Sequence, residues 1–295
     1  MTLRKDRFRL SYPHKAFTLV ELLVVVAVLA LLASIVFSNL TGAREQAKIS
    51  NALSFQSNMH NLLGADLVGW WKFDEGSGSV ANDLSGYGNN GTIVGATRVD
   101  GVPGTGGKAL EFNGSNNRVD FASGTTQEIL NGTPAITLTA WVNQHELAES
   151  QKVIIGIPIH DSLNAFDLYL IDFGYISLGG RSQSGDSFQS IRSDDALIIE
   201  DKWCLIIGII DYANKKIEIF LNDELVKKSN GITFGSTFFN KGNDGYTRIG
   251  MTPSITAERY FNGLIDDVRI YSRALTAYEV QTLYAQTKDK YLAKD

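Results

Sequence analysis

The chain has 295 residues, 44% of them hydrophobic, with 28 glycines and only 5 prolines. That is apolar material for one sizeable core and a short extension, and the glycine-rich, proline-poor balance suits short strands and tight turns rather than a disordered chain. The formal net charge is −5, but residues 1–16 set five basic side chains against Asp6 and carry +4, which leaves −9 on the remainder and excludes a nucleic-acid-binding body.

The basic head (Arg4, Lys5, Arg7, Arg9, Lys15) stands directly before an apolar run and predicts a cytoplasmic N-terminus. From Phe17 to Phe37 the sequence reads FTLVELLVVVAVLALLASIVF, 21 residues with a single charge, Glu21. A helix of that length crosses a hydrocarbon core of about 30 Å. A carboxylate inside it costs on the order of 2.5–3.5 kcal/mol on insertion scales and marks a function. Neither a discarded signal peptide nor a plain signal anchor accounts for Glu21.

Beyond Phe37 the chain becomes polar without losing helical spacing: Ile49, Leu53, Gln56, Met59 and Leu63 fall on one face, with Arg44, Glu45 and Lys48 elsewhere. The helix is expected to run to about Leu63 and stop at Gly64, which puts a domain boundary near residue 65.

From Leu67 onward, apolar residues alternate with a period of two between Gly, Asn and Asp clusters. In ITLTAWV the residues Ile136, Leu138, Ala140 and Val142 share a face, and FDLYLIDFG, KIEIFLND and LIDDVRIY read the same way. No helical stretch long enough for a parallel crossover appears before the C-terminus, so the expected fold is a mainly β, antiparallel sandwich preceded by one long transmembrane helix. Thr276-Ala277-Tyr278-Glu279 reads as a capping box opening a short helix to about Gln286, and the Lys-rich tail 287–295 is expected to fray. The lone Cys204 lies in an apolar run and reads as a small buried hydrophobe; the four histidines show no paired spacing for zinc.

Two resemblances follow from these residues. Lys15-Ala16-Phe17-Thr18-Leu19-Val20-Glu21 resembles the cleavage motif of type IV prepilins and type II secretion pseudopilins, over roughly residues 4–63. The resemblance implies cleavage by a prepilin peptidase between Ala16 and Phe17, methylation of the new Phe17 terminus, and a leader of residues 1–16. It further implies that Glu21 pairs with the amino terminus of a neighbouring pilin subunit during filament assembly on an inner-membrane platform. The product is then anchored in the inner membrane of a bacterial cell and passes into a periplasmic or extracellular filament. Ala16 departs from the family's usual glycine, and residues 38–63 lack its mid-helix proline.

The second resemblance covers residues 66–286 and rests on LVGWWKFDEGSG, NDLSGYGNNGTI, ALEFNGSNNRVDF, ITLTAWV, KWCLIIGIID, IEIFLNDELV and FNGLIDDVRIYSRALTAYEV, whose order is similar to a concanavalin A-like, laminin-G-like jelly roll. That fold serves lectins, glycosidases, protein-binding modules and spacers alike. Asp74, Asp83 and Asp266 fall where laminin-G-like relatives often carry calcium ligands, and Asn90 stands where relatives often have Asp. Calcium is thus the implied cofactor, while the same residues also serve as turn-forming Asx groups and solvated acids.

A catalytic acid pair is not expected. Asp167 and Asp172 have opposite strand parity, and Glu218 has no second acid two residues away. Of the aromatic residues, Trp70, Trp71, Trp141 and Trp203 lie in strands and read as core, whereas Tyr87 and Tyr246 read as exposed ligand contacts. The expectation is a minor or tip pilin-like or pseudopilin subunit displaying a jelly roll. A membrane-tethered, calcium-dependent adhesin module for glycan or surface protein is the alternative, and a tethered glycan-active enzyme the weakest reading.

Overall fold

In the computed structural model, which describes residues 19–33, 64, 66–102, 107–122, 125–147, 149–160, 163–239, 245–253 and 259–292, the chain divides into two units, Met1–Asn58 and Met59–Asp295. In the first unit, residues 19–33 form helix α1. Its composition explains it: apart from Glu21 every residue is Leu, Val or Ala, and all 15 positions are exposed. The continuation expected to Leu63 lies outside the described residues.

The second unit is a sandwich of two eight-stranded, wholly antiparallel sheets. The first runs in the order β14 (Glu224–Asn230), β13 (Lys216–Leu221), β12 (Trp203–Asp211), β7 (Ala135–Gln144), β16 (Asn262–Tyr271), β5 (Lys108–Asn113) and β4 (Thr97–Asp100), and β1 (Leu67–Trp71) pairs with the later half of β16. The second runs β11 (Gln189–Arg192), β10 (Tyr175–Gly180), β9 (Leu163–Ile171), β8 (Lys152–His160), β15 (Arg248–Ile249), β6 (Arg118–Phe121), β3 (Gly91–Val94) and β2 (Val80–Ala81). A six-residue helix, α2 (Thr125–Leu130), interrupts the strands and is too short for a parallel crossover.

The period-two residues face one another across the sheets. Ile136, Leu138, Ala140 and Val142 enter the main core with Val119 and Phe121 of β6, Ile155 and Ile157 of β8, and Leu168 of β9. The opposite face of β7 is also covered, which is why all ten of its residues are buried. Trp141, Leu205, Ile207, Ile209, Phe220 and Tyr271 form a second cluster there under the C-terminal helix α3 (Ala277–Thr287). That helix opens on the expected capping box, with the Thr276 side chain accepting from the Glu279 amide and the Glu279 carboxylate accepting from the Thr276 amide. Arg273 donates to Glu279 at 2.8 Å and to Asp66 at 2.8 Å, tying the start of α3 to the residue before β1.

Two features depart from the sequence reading. The tail expected to fray is packed as far as Tyr291: a 3-10 turn (Lys288–Lys290) follows α3 without a break, and Tyr291 is 3% exposed. The reason is continuity of spacing, since Val280, Leu283, Thr287 and Tyr291 recur at three- and four-residue intervals and keep one side of the segment on the sheet. Second, β16 does not alternate throughout. Its register with β7 slips between Asp266 and Arg269, and Asp267 takes φ 45° at the bulge. The extra residue turns Asp266 and Arg269 toward the same side of the sheet, which strict alternation forbids for residues three apart.

Candidate functional site

The processing residues Ala16 and Phe17 lie outside the described residues. Glu21 stands in the first turns of α1, the single charge among exposed leucines and valines such as Leu22, Val24 and Leu29. No helix among the described residues is long and apolar enough to cross a membrane; the described 15 residues of α1 span about 22 Å at 1.5 Å per residue.

The three aspartates expected around a cation separate into two places. Asp83 organises its own turn: Oδ1 accepts from the amides of Trp70 (3.0 Å) and Ser85 (2.9 Å), and Oδ2 from the Ser85 hydroxyl (2.7 Å) and the Asn89 amide (2.9 Å). Asn90 Oδ1 in turn accepts from the Asp83 amide at 2.8 Å. This is the Asx-turn role of an aspartate, with both oxygens engaged.

Asp74 and Asp266 do come together, and a side chain of the C-terminal segment joins them. Lys290 Nζ lies 3.3 Å from Asp74 Oδ1 and 2.9 Å from Asp266 Oδ2. Asp266 is fully buried; its Oδ2 also accepts from the Tyr291 hydroxyl at 2.7 Å, and its Oδ1 from the Asp267 amide at 2.7 Å. Burial pushes the Asp266 carboxyl up to about 7, against the opposing pull of the Lys290 ammonium and the Tyr291 hydroxyl. Burial works against the charge of Lys290, yet Asp266 and Asp74 outweigh it and hold the ammonium above its ordinary range.

A calcium ion wants six to eight hard oxygens around an open centre. Here an ammonium lies between two of the three carboxylates and the third is spent on its own turn, so these residues do not present a calcium cage. Among the described residues no group of three or more His, Cys, Asp or Glu side chains could hold a metal ion.

The aromatic residues sort by face. Trp71 and Trp141 are fully buried, and Trp203 donates to the Gly101 carbonyl at 3.1 Å. Trp70 donates to Asp267 at 2.6 Å, with the Lys72 ammonium and Arg269 guanidinium 4.9 and 4.7 Å from its ring. Tyr87 is 55% and Tyr246 45% exposed.

Tyr246 belongs to a larger constellation on the outer face of the second sheet, where Asp120, Arg248, Gly156, Asp167, Gly179 and Ser190 register side by side. The Arg248 guanidinium is 5.5 Å from the Tyr246 ring and its Nε donates to Asp120 at 2.9 Å; Arg118 Nε donates to the other oxygen of Asp120, also at 2.9 Å. Two further arginine–aromatic pairs, Arg192 on Tyr175 (4.5 Å) and Arg181 on Phe188 (5.4 Å), lie on strands and turns of the same sheet. Ring faces and fixed guanidinium donors suit a polar, hydroxyl-rich ligand. The arginines were not legible as site residues because Arg118, Arg192 and Arg248 are scattered over 130 positions of sequence.

Among the described residues, the acids weighed for glycoside hydrolysis lie on separate strands and turns. Asp167 lies 2% exposed on the outer face of β9, Asp172 is in the β9–β10 turn and paired with Arg192 at 3.0 Å, and Glu218 is held by Lys216 at 2.8 Å.

Residues 113–281 match the model of the concanavalin A-like lectin/glucanases superfamily, and residues 13–37 match the prokaryotic N-terminal methylation motif. No curated protein sequence matches the chain. Among solved structures, the receptor-binding domain of botulinum neurotoxin C/D mosaic serotype superposes with a TM-score of 0.57 at 14% identity, over 76% of this chain and 52% of that one. The chain therefore spans about half the length of that neurotoxin fragment. The botulinum neurotoxin serotype D ligand-binding domain in complex with N-acetylneuraminic acid gives 0.56 at 12% identity, over 76% and 51%. Domain 4 of AbnA, a GH43 extracellular arabinanase from Geobacillus stearothermophilus in complex with arabinotriose, gives 0.54 at 21% identity, over 74% of this chain and 98% of that domain.

Proposed function

Since the chain belongs to the concanavalin A-like lectin/glucanases superfamily, we propose that its sandwich is a binding head carried by a type IV pilin-like subunit, in a minor or tip position of a pilus or type II secretion filament. The observation that carries this reading is a methylation motif over residues 13–37 that contains a helix whose exposed surface is apolar but for Glu21. A helix of that kind needs a lipid or protein surround, and a carboxylate within it marks a function. On this reading Glu21 pairs with the amino terminus of a neighbouring processed subunit. A head of residues 66–295 is bulky for a repeating shaft, which favours a minor position. Prepilin peptidase, other pilins and the inner-membrane assembly platform are the implied partners. Intact-mass analysis of the protein from its own cells is expected to find a chain beginning at a methylated Phe17; an unprocessed Met1 terminus would rule the assignment out.

For the head, binding rather than catalysis is supported by the dispersed, ion-paired acids and by the Tyr246–Arg248–Asp120–Arg118 constellation. Two of the similar solved domains are in complex with a sugar, which makes glycans the first ligand class to try. The test is retention of the full chain on a panel of cell-wall and host glycans, in calcium and in chelator. Tyr246→Ala is expected to weaken retention by up to about tenfold, the worth of one aromatic contact. Equal retention of the variant would move the ligand away from this face.

A further inference from the structure

The Lys290 ammonium joins three separate parts of the fold. Asp74 comes from the loop after β1, Asp266 from the bulge of β16, and Lys290 from the 3-10 turn after α3. We propose that this ammonium is a built-in cation that takes, between Asp74 and Asp266, the place a divalent metal ion would hold, so that the sandwich is complete without calcium.

Asp266 is fully buried, and a buried carboxylate needs a charged or hydrogen-bonding partner. Its neighbour Asp267 does not compete for Lys290 Nζ, because Asp267 is engaged by Arg269 at 2.8 and 3.0 Å and by Trp70 at 2.6 Å. Asp74 is oriented independently, by the Lys108 amide at 2.8 Å.

The path of the lysine is built as well. Its stem crosses Gly107, where a Cβ would overlap Lys290 Cε, so glycine leaves the channel the side chain occupies. The next residue locks the segment: the Tyr291 ring stacks on Trp141 with centroids 4.2 Å apart and planes at 15°, and its hydroxyl reaches Asp266. Trp141 Nε1 donates to Thr287 Oγ1 at 3.0 Å, fixing the turn from its other end. An ammonium offers three donors and one charge, which suits two carboxylates already supplied with backbone amides, whereas calcium would need further oxygens.

The test is thermal unfolding of the full chain in detergent micelles at mildly alkaline pH, in millimolar calcium and in chelator, for the wild type, Lys290→Met and the double variant Lys290→Met/Asp266→Asn. The wild type is expected to unfold at the same temperature in calcium and in chelator. A calcium site saturated a hundredfold would instead separate the two by roughly 5–10 °C. Lys290→Met, which strands a buried carboxylate, is expected to fall by roughly 6–20 °C. Removing the stranded charge in the double variant is expected to recover most of that loss, and this comparison survives even if the single variant does not fold. The proposal is overturned by a calcium-stabilised wild type, by Lys290→Met melting with the wild type, or by a double variant no better than the single one.

Discussion

At the residue scale, Asp266 dominates because its environment disagrees with its chemistry. Its folded value of about 7 lies above the ordinary 3.8, so between those limits the folded chain holds a proton that the unfolded chain has released. Stability from this group is complete below about pH 4 and is lost as pH rises through 7. The expected outcome is that the urea stability of Asp266→Asn, relative to wild type, improves steadily from pH 4 to 8, with the crossover set by the groups around it: Asp267, Lys290, Tyr291 and Asp74. A difference that does not vary with pH would contradict the assignment. Asp267, one residue on, goes the other way: burial would raise it, but Arg269 holds it below the carboxylate range, and its contribution is lost as pH falls. Cys204 is half-buried against the main core, and desolvation pushes its thiol up to about 12. Alkylation at neutral pH is therefore expected to be slow in the folded chain and to speed up on unfolding.

At the scale of elements, the C-terminal segment is part of the sandwich rather than an appendage. Val280 and Leu283 of α3, and Tyr291 beyond it, cover the outer face of the first sheet, so that Trp141 is buried on a face that would otherwise meet water. Tyr291→Ala removes a buried ring stacked on Trp141 and is expected to cost about 3–5 kcal/mol, read from the denaturant midpoint. Gln281→Ala, on the exposed side of the same helix, is expected to stay within about 0.5 kcal/mol. Similar losses for the two would mean that α3 contributes through its helicity and not through the face it covers.

At the scale of the whole molecule, an apolar helix with one carboxylate and an acidic β-sandwich obey different solvents. The helix surface is suited to lipid or to other helices, and the sandwich to water. On the proposed function, assembly and display are therefore separable. Glu21→Ala is expected to leave membrane insertion and the unfolding of the head unchanged while abolishing incorporation into filaments. Normal incorporation of the variant would remove the role assigned to Glu21.

What the sequence alone determined is whatever depends on neighbours along the chain. The methylation motif is contiguous around Phe17, the strand faces follow from alternation such as Ile136, Leu138, Ala140 and Val142, and the capping box needs only Thr276 and Glu279. These are local because backbone geometry repeats every two or 3.6 residues. Only the tertiary structure decided how the charges pair. Lys290 meets Asp74 across 216 positions and Tyr291 meets Asp266 across 25, and beside that meeting lies a one-residue bulge at Asp267 that no alternation pattern announces. An aspartate in a Gly-Asn turn and one beneath a tyrosine look alike in sequence. They part in the fold because Asp83 can satisfy its oxygens from its own turn, whereas Asp266, sealed under Tyr291, has to draw a cation from the far end of the chain.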